Sequence, residues 1–194
     1  MRIFGDKISG NCHKVKWVMN HLDFDHDWVE IDILAGESRT AEFLAMNPAG
    51  QVPVLMLEDG RAISQSNAII LYLAEGSDLI PEDWYDRARM MEWLFWEQYS
   101  HEPYVAVTRF QTVYKQIPFD DLDATLLAKA NGALDHLESA LKDSEFLIGS
   151  KLSLADIALA AYTRLAPDGG FSLDTRPAIR AWIKRIETQL AITP

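Results

Sequence analysis

The chain has 194 residues, 48% of them hydrophobic, and a formal net charge of −11; it can bury a real core as one compact domain or two small ones, while the charge argues against nucleic acid and demands a local basic patch for any anionic ligand. The lone cysteine, Cys12, excludes an internal disulfide framework and a thiolate-rich metal site, and the histidines at 13, 21, 26, 101 and 136 lack the paired helical spacing of a zinc hydrolase. No apolar run approaches the roughly 20 residues of a membrane span, and Met1-Arg2-Ile3-Phe4-Gly5-Asp6 lacks the apolar core of a signal peptide, so the expectation is a cytoplasmic protein without metal or membrane.

In chain order, the pattern predicts a strand at 2–4, a helix near 10–22, a strand at 28–31 and a helix near 40–46. A strand over Val54 to Leu57 follows, then a two-residue hairpin turn at Asp59-Gly60, a strand at 61–63 and a helix through Ala68 to Leu73. The sum is a βαβ unit followed by a ββα unit. Strand signals then stop. We expect a thioredoxin-like α/β domain over 1–75, a linker over 76–83 and an all-α domain over 84–194. The helical part reads as a long aromatic helix from Glu82 to Tyr114, a second from Asp121 to Lys142, a third starting at Ser153 and a fourth from Arg176 to Gln189. Ser153-Leu154-Ala155-Asp156 has the form of a capping box, and the run behind it is apolar on every face, which predicts a buried central helix.

Two stretches carry chemistry. Pro53 in Gln51-Val52-Pro53-Val54 can sit only at a strand start or edge. If the Val52–Pro53 bond is cis, the backbone of Val52 is available to pair with an extended ligand. Ser64-Gln65-Ser66 opens the next helix, whose free N–H groups and dipole favour a carboxylate. The plainer alternative is that Pro53 starts a strand and Ser66 caps a helix. Between the first strand and helix, Ser9-Gly10-Asn11 is a loop or cap sequence. There Ser9 can donate to a bound sulfur, and the Asn11 amide can add a second donor or orient the first. A helix start that holds a thiolate lowers its pKa, each unit amounting to about 1.4 kcal/mol. Ser9 also reads as a plain cap, and Cys12 as a small buried hydrophobe.

Four pieces, Ser9-x-Asn11-x-x-Lys14-Val15, Asn47-Pro48-x-Gly50-Gln51-Val52-Pro53-Val54, Gln65-Ser66-Asn67-Ala68-Ile69 and Gly149-x-x-x-Ser153-x-Ala155-Asp156-Ile157, resemble the glutathione transferases in order and separation over essentially the whole chain. The serine spacing is similar to that of phi-type and related bacterial members. The resemblance implies glutathione as co-substrate, a small hydrophobic electrophile as second substrate, and a homodimer. It makes Ser9 the thiol-activating hydroxyl with Asn11 beside it. Val52 would pair with the cysteinyl backbone next to cis Pro53, while Gln65 and Ser66 would hold the γ-glutamyl end with Gln51 alongside. Arg39 would lie near the glycine carboxylate.

The aromatic helix would line the second-substrate pocket with Trp96, Tyr99 and Tyr104 among its wall residues and Arg109 as a charge; aromatics at helical spacing also read as core. Because the fourth helix lies near the end of the sequence, a lid built from a longer tail is expected to be missing. The rival readings are a glutathione-dependent disulfide or peroxide reductase on the same fold, and a non-catalytic glutathione-binding or protein-interaction protein.

Overall fold

A computed structural model describes residues 1–192 and divides them into a unit from Met1 to Ser77 and a second from Asp78 onward. The first is a four-stranded mixed sheet of order β2-β1-β3-β4: β1 (Arg2–Gly5) pairs in parallel with β2 (Asp27–Glu30) and antiparallel with β3 (Val54–Met56), which pairs antiparallel with β4 (Ala62–Ser64). Helix α1 (Gly10–His21) makes the crossover from β1 to β2, α2 (Ala41–Met46) precedes β3, and α3 (Ser66–Ala74) follows β4. The expected βαβ-ββα order is present.

Alternation along the strands decides which helix packs where. Ile3 lies opposite Leu55 and Phe4 opposite Val54. Val54 joins Phe43 and Ile31, with Phe4, Val29 and Met46 against them, so α2 covers that face. The Ile3 and Leu55 face is left to α1 and α3, which pack on each other and bury Val15, Val18, Met19, Ile69 and Ile70.

The hairpin differs from the expected two-residue turn. Leu57 and Arg61 close it through the Leu57 N–H to Arg61 C=O bond at 2.9 Å, leaving Glu58, Asp59 and Gly60 as a three-residue loop. Gly60 takes φ +85°, the left-handed position such a loop needs. Asp59 accepts from the Arg61 N–H and Nε, which moves the next strand one residue onward from the expected start.

In the second unit the expected long helix starts at Trp84, where the Asp83 carboxylate accepts from Tyr85 and Asp86 N–H. It is not uniform. Helix α4 (Trp84–Trp96) passes through a π-helical stretch, Glu97–His101, into α5 (Glu102–Arg109), and a second π stretch covers Phe110–Tyr114. Pro103 has no N–H for the ladder, and the widened turn immediately before it absorbs the missing bond. Helix α6 (Ala124–Leu141) begins later than expected because Asp123 caps it through Leu126 N–H, the preceding 119–121 forming a 3₁₀ turn. Helix α7 (Leu154–Thr163) is buried from Leu154 through Ala161 and is the core helix the apolar pattern predicts. Helix α8 (Pro177–Gln189) contributes Ile179, Trp182 and Ile186 to the same core.

The capping box at α7 is the centre of a buried knot. The fully buried Asp156 carboxylate accepts from Ser153 N–H at 2.9 Å, Ser153 Oγ at 2.8 Å, Leu147 N–H at 2.8 Å and Trp182 Nε1 at 2.9 Å. Burial pushes its carboxyl up, and those four donors pull the other way.

Candidate functional site

The loop after β1 is tied down residue by residue. Asp6 C=O accepts from Ser9 N–H at 3.1 Å, the Asp6 carboxylate accepts from Ile8 N–H at 2.9 Å, and Glu30 accepts from Lys7 N–H at 3.2 Å. Ser9 is thereby fixed at the N-cap of α1 with extended backbone, and nearly all of it is buried. Its side chain makes no bond to the first-turn N–H groups of its own helix. The hydroxyl is instead hydrogen-bonded to Cys12, one turn on. Burial pushes that thiol up to about 12, with the Ser9 hydrogen bond pulling in the opposite direction. Cys12 is therefore a protonated, buried thiol at neutral pH and not a nucleophile.

Helix α3 starts in the same manner. Its N-cap residue Gln65 has φ +73°, uncommon for a side chain that is not glycine, and makes no side-chain cap bond. Ser66 Oγ donates to Asn11 Oδ1 at 2.9 Å, which joins the starts of α1 and α3 directly. The other helix beginnings in the described residues are closed: Thr40, Asp83 and Asp123 cap α2, α4 and α6, the Asp156 box serves α7, and Glu138 accepts from Ala178 and Ile179 N–H at the start of α8. Helix α5 has no separate start, since it continues from a π stretch.

The Val52–Pro53 bond is cis, and Val52 lies just outside the ladder that β3 enters at Val54. Asn47 builds the approach: its Nδ2 donates to Gln51 C=O at 2.8 Å, its Oδ1 accepts from Ala49 N–H and its C=O from Gly50 N–H. Gly50 has φ +62°, and Arg39 lies across it; a Cβ there would meet the guanidinium at 2.5 Å. Arg39 Nη1 donates to Ala49 C=O at 3.1 Å, so the exposed guanidinium is anchored beside the Gln51–Pro53 segment. Sequence reasoning quoted Asn47 and Gly50 only as parts of a motif; the turn chemistry of Asn and Gly was the signal that could have given them roles.

Of the four expected second-substrate residues, Trp96, Tyr104 and Arg109 make contacts within the helical unit and Tyr99 is open to solvent. Trp96 packs edge-on against Trp93 and near His136, so it belongs to an aromatic cluster. Tyr99 is 83% exposed. The Tyr104 ring lies under Lys129 Nζ, which also approaches its hydroxyl at 3.5 Å. Arg109 is buried and paired with Asp168 at 3.2 Å. A cavity of about 610 Å³ in this unit is lined by other residues, among them Arg164, Asp168, Phe171, Arg180 and Glu187.

Known proteins share this fold. The glutathione S-transferase N-terminal domain model matches residues 8–75 and the C-terminal domain model residues 104–189. A glutathione S-transferase from Hyoscyamus muticus is 31% identical over 94% of this chain and 91% of its own. A crystal structure of a glutathione S-transferase from Pseudomonas fluorescens superposes with a TM-score of 0.93 at 43% identity, covering 96% of this chain and 94% of that one. Maleylacetoacetate isomerase from Methylobacterium extorquens, whose crystal structure carries malonate and GSH, aligns with a TM-score of 0.81 at 25% identity over 98% and 94% of the two chains. The chain belongs to the glutathione S-transferase family.

Proposed function

We propose that this protein conjugates glutathione to small hydrophobic electrophiles, with Ser9 as the group that holds the thiol ionised. The observation that carries the reading is the pair of helix starts, α1 and α3, left without side-chain caps of their own and joined by the Ser66 to Asn11 bond. Helix N-termini attract anions, and a bound glutathione presents two kinds: its carboxylates and its thiolate.

In the proposed complex Val52 pairs with the cysteinyl backbone, Gln65 and Ser66 hold the γ-glutamyl end with Gln51 alongside, and Arg39 faces the glycine carboxylate. The thiol gives its proton to solvent. Ser9 then donates to the remaining anion, and Asn11 supplies or orients a second donor. The sulfur lone pair attacks an electrophilic carbon, and the bond to the leaving group breaks with its electron pair. The buried, protonated Cys12 argues against disulfide exchange by the protein's own sulfur.

We also propose a cytoplasmic homodimer. Phe95 and Tyr99, four residues apart and exposed, are the kind of surface such an assembly covers. Sedimentation of the purified chain at micromolar concentration tests this, and a monomer there rejects it.

The test of the activity is the ultraviolet thiolate spectrum of bound glutathione across pH, for the parent and Ser9→Ala. A bound-thiol pKa below that of free glutathione, rising on loss of the hydroxyl, supports the role of Ser9. Binding without a pKa shift points to an interaction protein. A lowered pKa accompanied by turnover only of disulfides or peroxides points to a reductase.

A further inference from the structure

Lys14 is among the largest fully buried side chains of the protein, with no exposed surface. Lysine is almost never fully buried without compensating partners, because desolvating an ammonium is costly. Two partners lie in the first turn of α3: Nζ is 3.4 Å from Ser66 Oγ and 3.4 Å from Asn67 Oδ1. An ammonium has three donors and no acceptor, so the Ser66 oxygen must accept from it. The Ser66 hydrogen then goes to Asn11 Oδ1, at 2.9 Å. Direction propagates from the buried cation: Lys14 donates to Ser66, and Ser66 donates to Asn11. With its carbonyl oxygen accepting from Ser66, the Asn11 amide is held with that oxygen toward α3.

We propose that Lys14 is a positioning residue of the glutathione site, and this rests on the transferase reading above. Its charge sets the direction of the chain through Ser66, holds the Asn11 amide as a donor toward the thiolate, and places a buried positive charge below the start of α3. A chain of net charge −11 requires such a local cation to receive an anionic tripeptide. Arg39 is exposed, where salt screens it, whereas a buried charge is screened far less. The γ-glutamyl carboxylate is then met by the Ser66 backbone N–H and the field of Lys14, since the Ser66 hydroxyl is already committed to Asn11.

The test compares the parent, Lys14→Met, Ser66→Ala and the double variant, each with its glutathione affinity, the pKa of the bound thiol and its melting temperature. Lys14→Met is expected to weaken glutathione about tenfold and to raise the bound-thiol pKa by about one unit. Ser66→Ala, which retains the Lys14 charge and the backbone N–H, is expected to raise the thiol pKa with less than a tenfold loss of affinity. The pKa shifts in the double variant should fall short of the sum, because both act through one chain.

A parent that fails to bind glutathione, or leaves its thiol pKa unshifted, overturns the transferase reading and this inference with it. A parent that lowers the pKa beside a folded Lys14→Met protein with unchanged pKa and affinity overturns Lys14 alone. If Lys14→Met does not fold, Ser66→Ala decides: weaker binding with an unmoved thiol pKa rejects the chain, and a raised pKa sustains it.

Discussion

Ser9 and Ser153 stand at helix starts in two different units and do opposite things there. At Ser153 the side chain and backbone both give to Asp156, which also takes a distant N–H and the Trp182 indole, so the polar groups are consumed internally. At Ser9 the hydroxyl leaves the first-turn N–H groups of its helix uncapped and bonds to Cys12 instead, and α3 beside it starts with an uncapped Gln65 at φ +73°. The same residue type at the same helical position thus stabilises a fold when its partners come from within the unit. Where it leaves the first-turn N–H groups uncapped, those groups remain available to a ligand. A cap that is missing where a cap residue is present is an observation pointing to function.

That contrast can be broken from either side. Asp156→Ala leaves the Trp182 indole and two backbone N–H groups buried without their acceptor, and breaking such a network costs about 3–5 kcal/mol. Urea unfolding followed by tryptophan fluorescence should show that loss; a change below about 1 kcal/mol means the knot is dispensable.

Ser9→Ala should do the reverse: a fall in turnover of about 10²-fold, in the range for loss of one preorganised donor, with glutathione affinity and stability nearly unchanged. Steady-state kinetics with a chromogenic electrophile checks it. Equal losses in affinity and turnover would contradict a role confined to the thiolate.

Gly50→Ala probes how rigidly Arg39 is seated. The left-handed backbone and the 2.5 Å approach to the guanidinium predict a cost of about 1–2 kcal/mol and a several-fold rise in the glutathione KM. An unaltered KM would separate Arg39 from the ligand.

The smallest effect at neutral pH concerns Cys12. Its folded pKa is raised, so the folded state keeps a proton that the unfolded chain releases first. The contribution to stability is fully present below about pH 9 and is lost as pH rises toward 12, by up to about 1.4 kcal/mol per pH unit. Cys12→Ala should flatten the decline above pH 9, and iodoacetamide should label the parent at pH 7.5 only upon unfolding. Rapid labelling of the native protein contradicts the buried thiol.

Much of this fold was legible in local pattern. The βαβ-ββα order, the cis-compatible Val52–Pro53 bond, and the buried helix behind Ser153 follow from turn residues, capping signals and apolar periodicity, which act over a few residues. The loop at Glu58–Gly60 and the π stretch before Pro103 departed from expectation because local hydrogen bonding, not hydrophobic pattern, decides them.

The candidate site residues divided along the same line. Ser9, Asn11, Gln65 and Ser66 sit at helix starts that the sequence marks. Lys14 was quoted only as a position of the first motif and was given no role, because nothing local to it shows what its ammonium meets. Its burial appears only when α3 packs on α1 and brings Ser66 and Asn67, 52 and 53 residues farther along, against its ammonium. The sequence by itself determined the elements, their caps and the candidate donors, since these depend on short-range chemistry. The tertiary structure alone decided which donors are consumed internally and which face outward, because that depends on partners supplied by chain segments far apart in sequence.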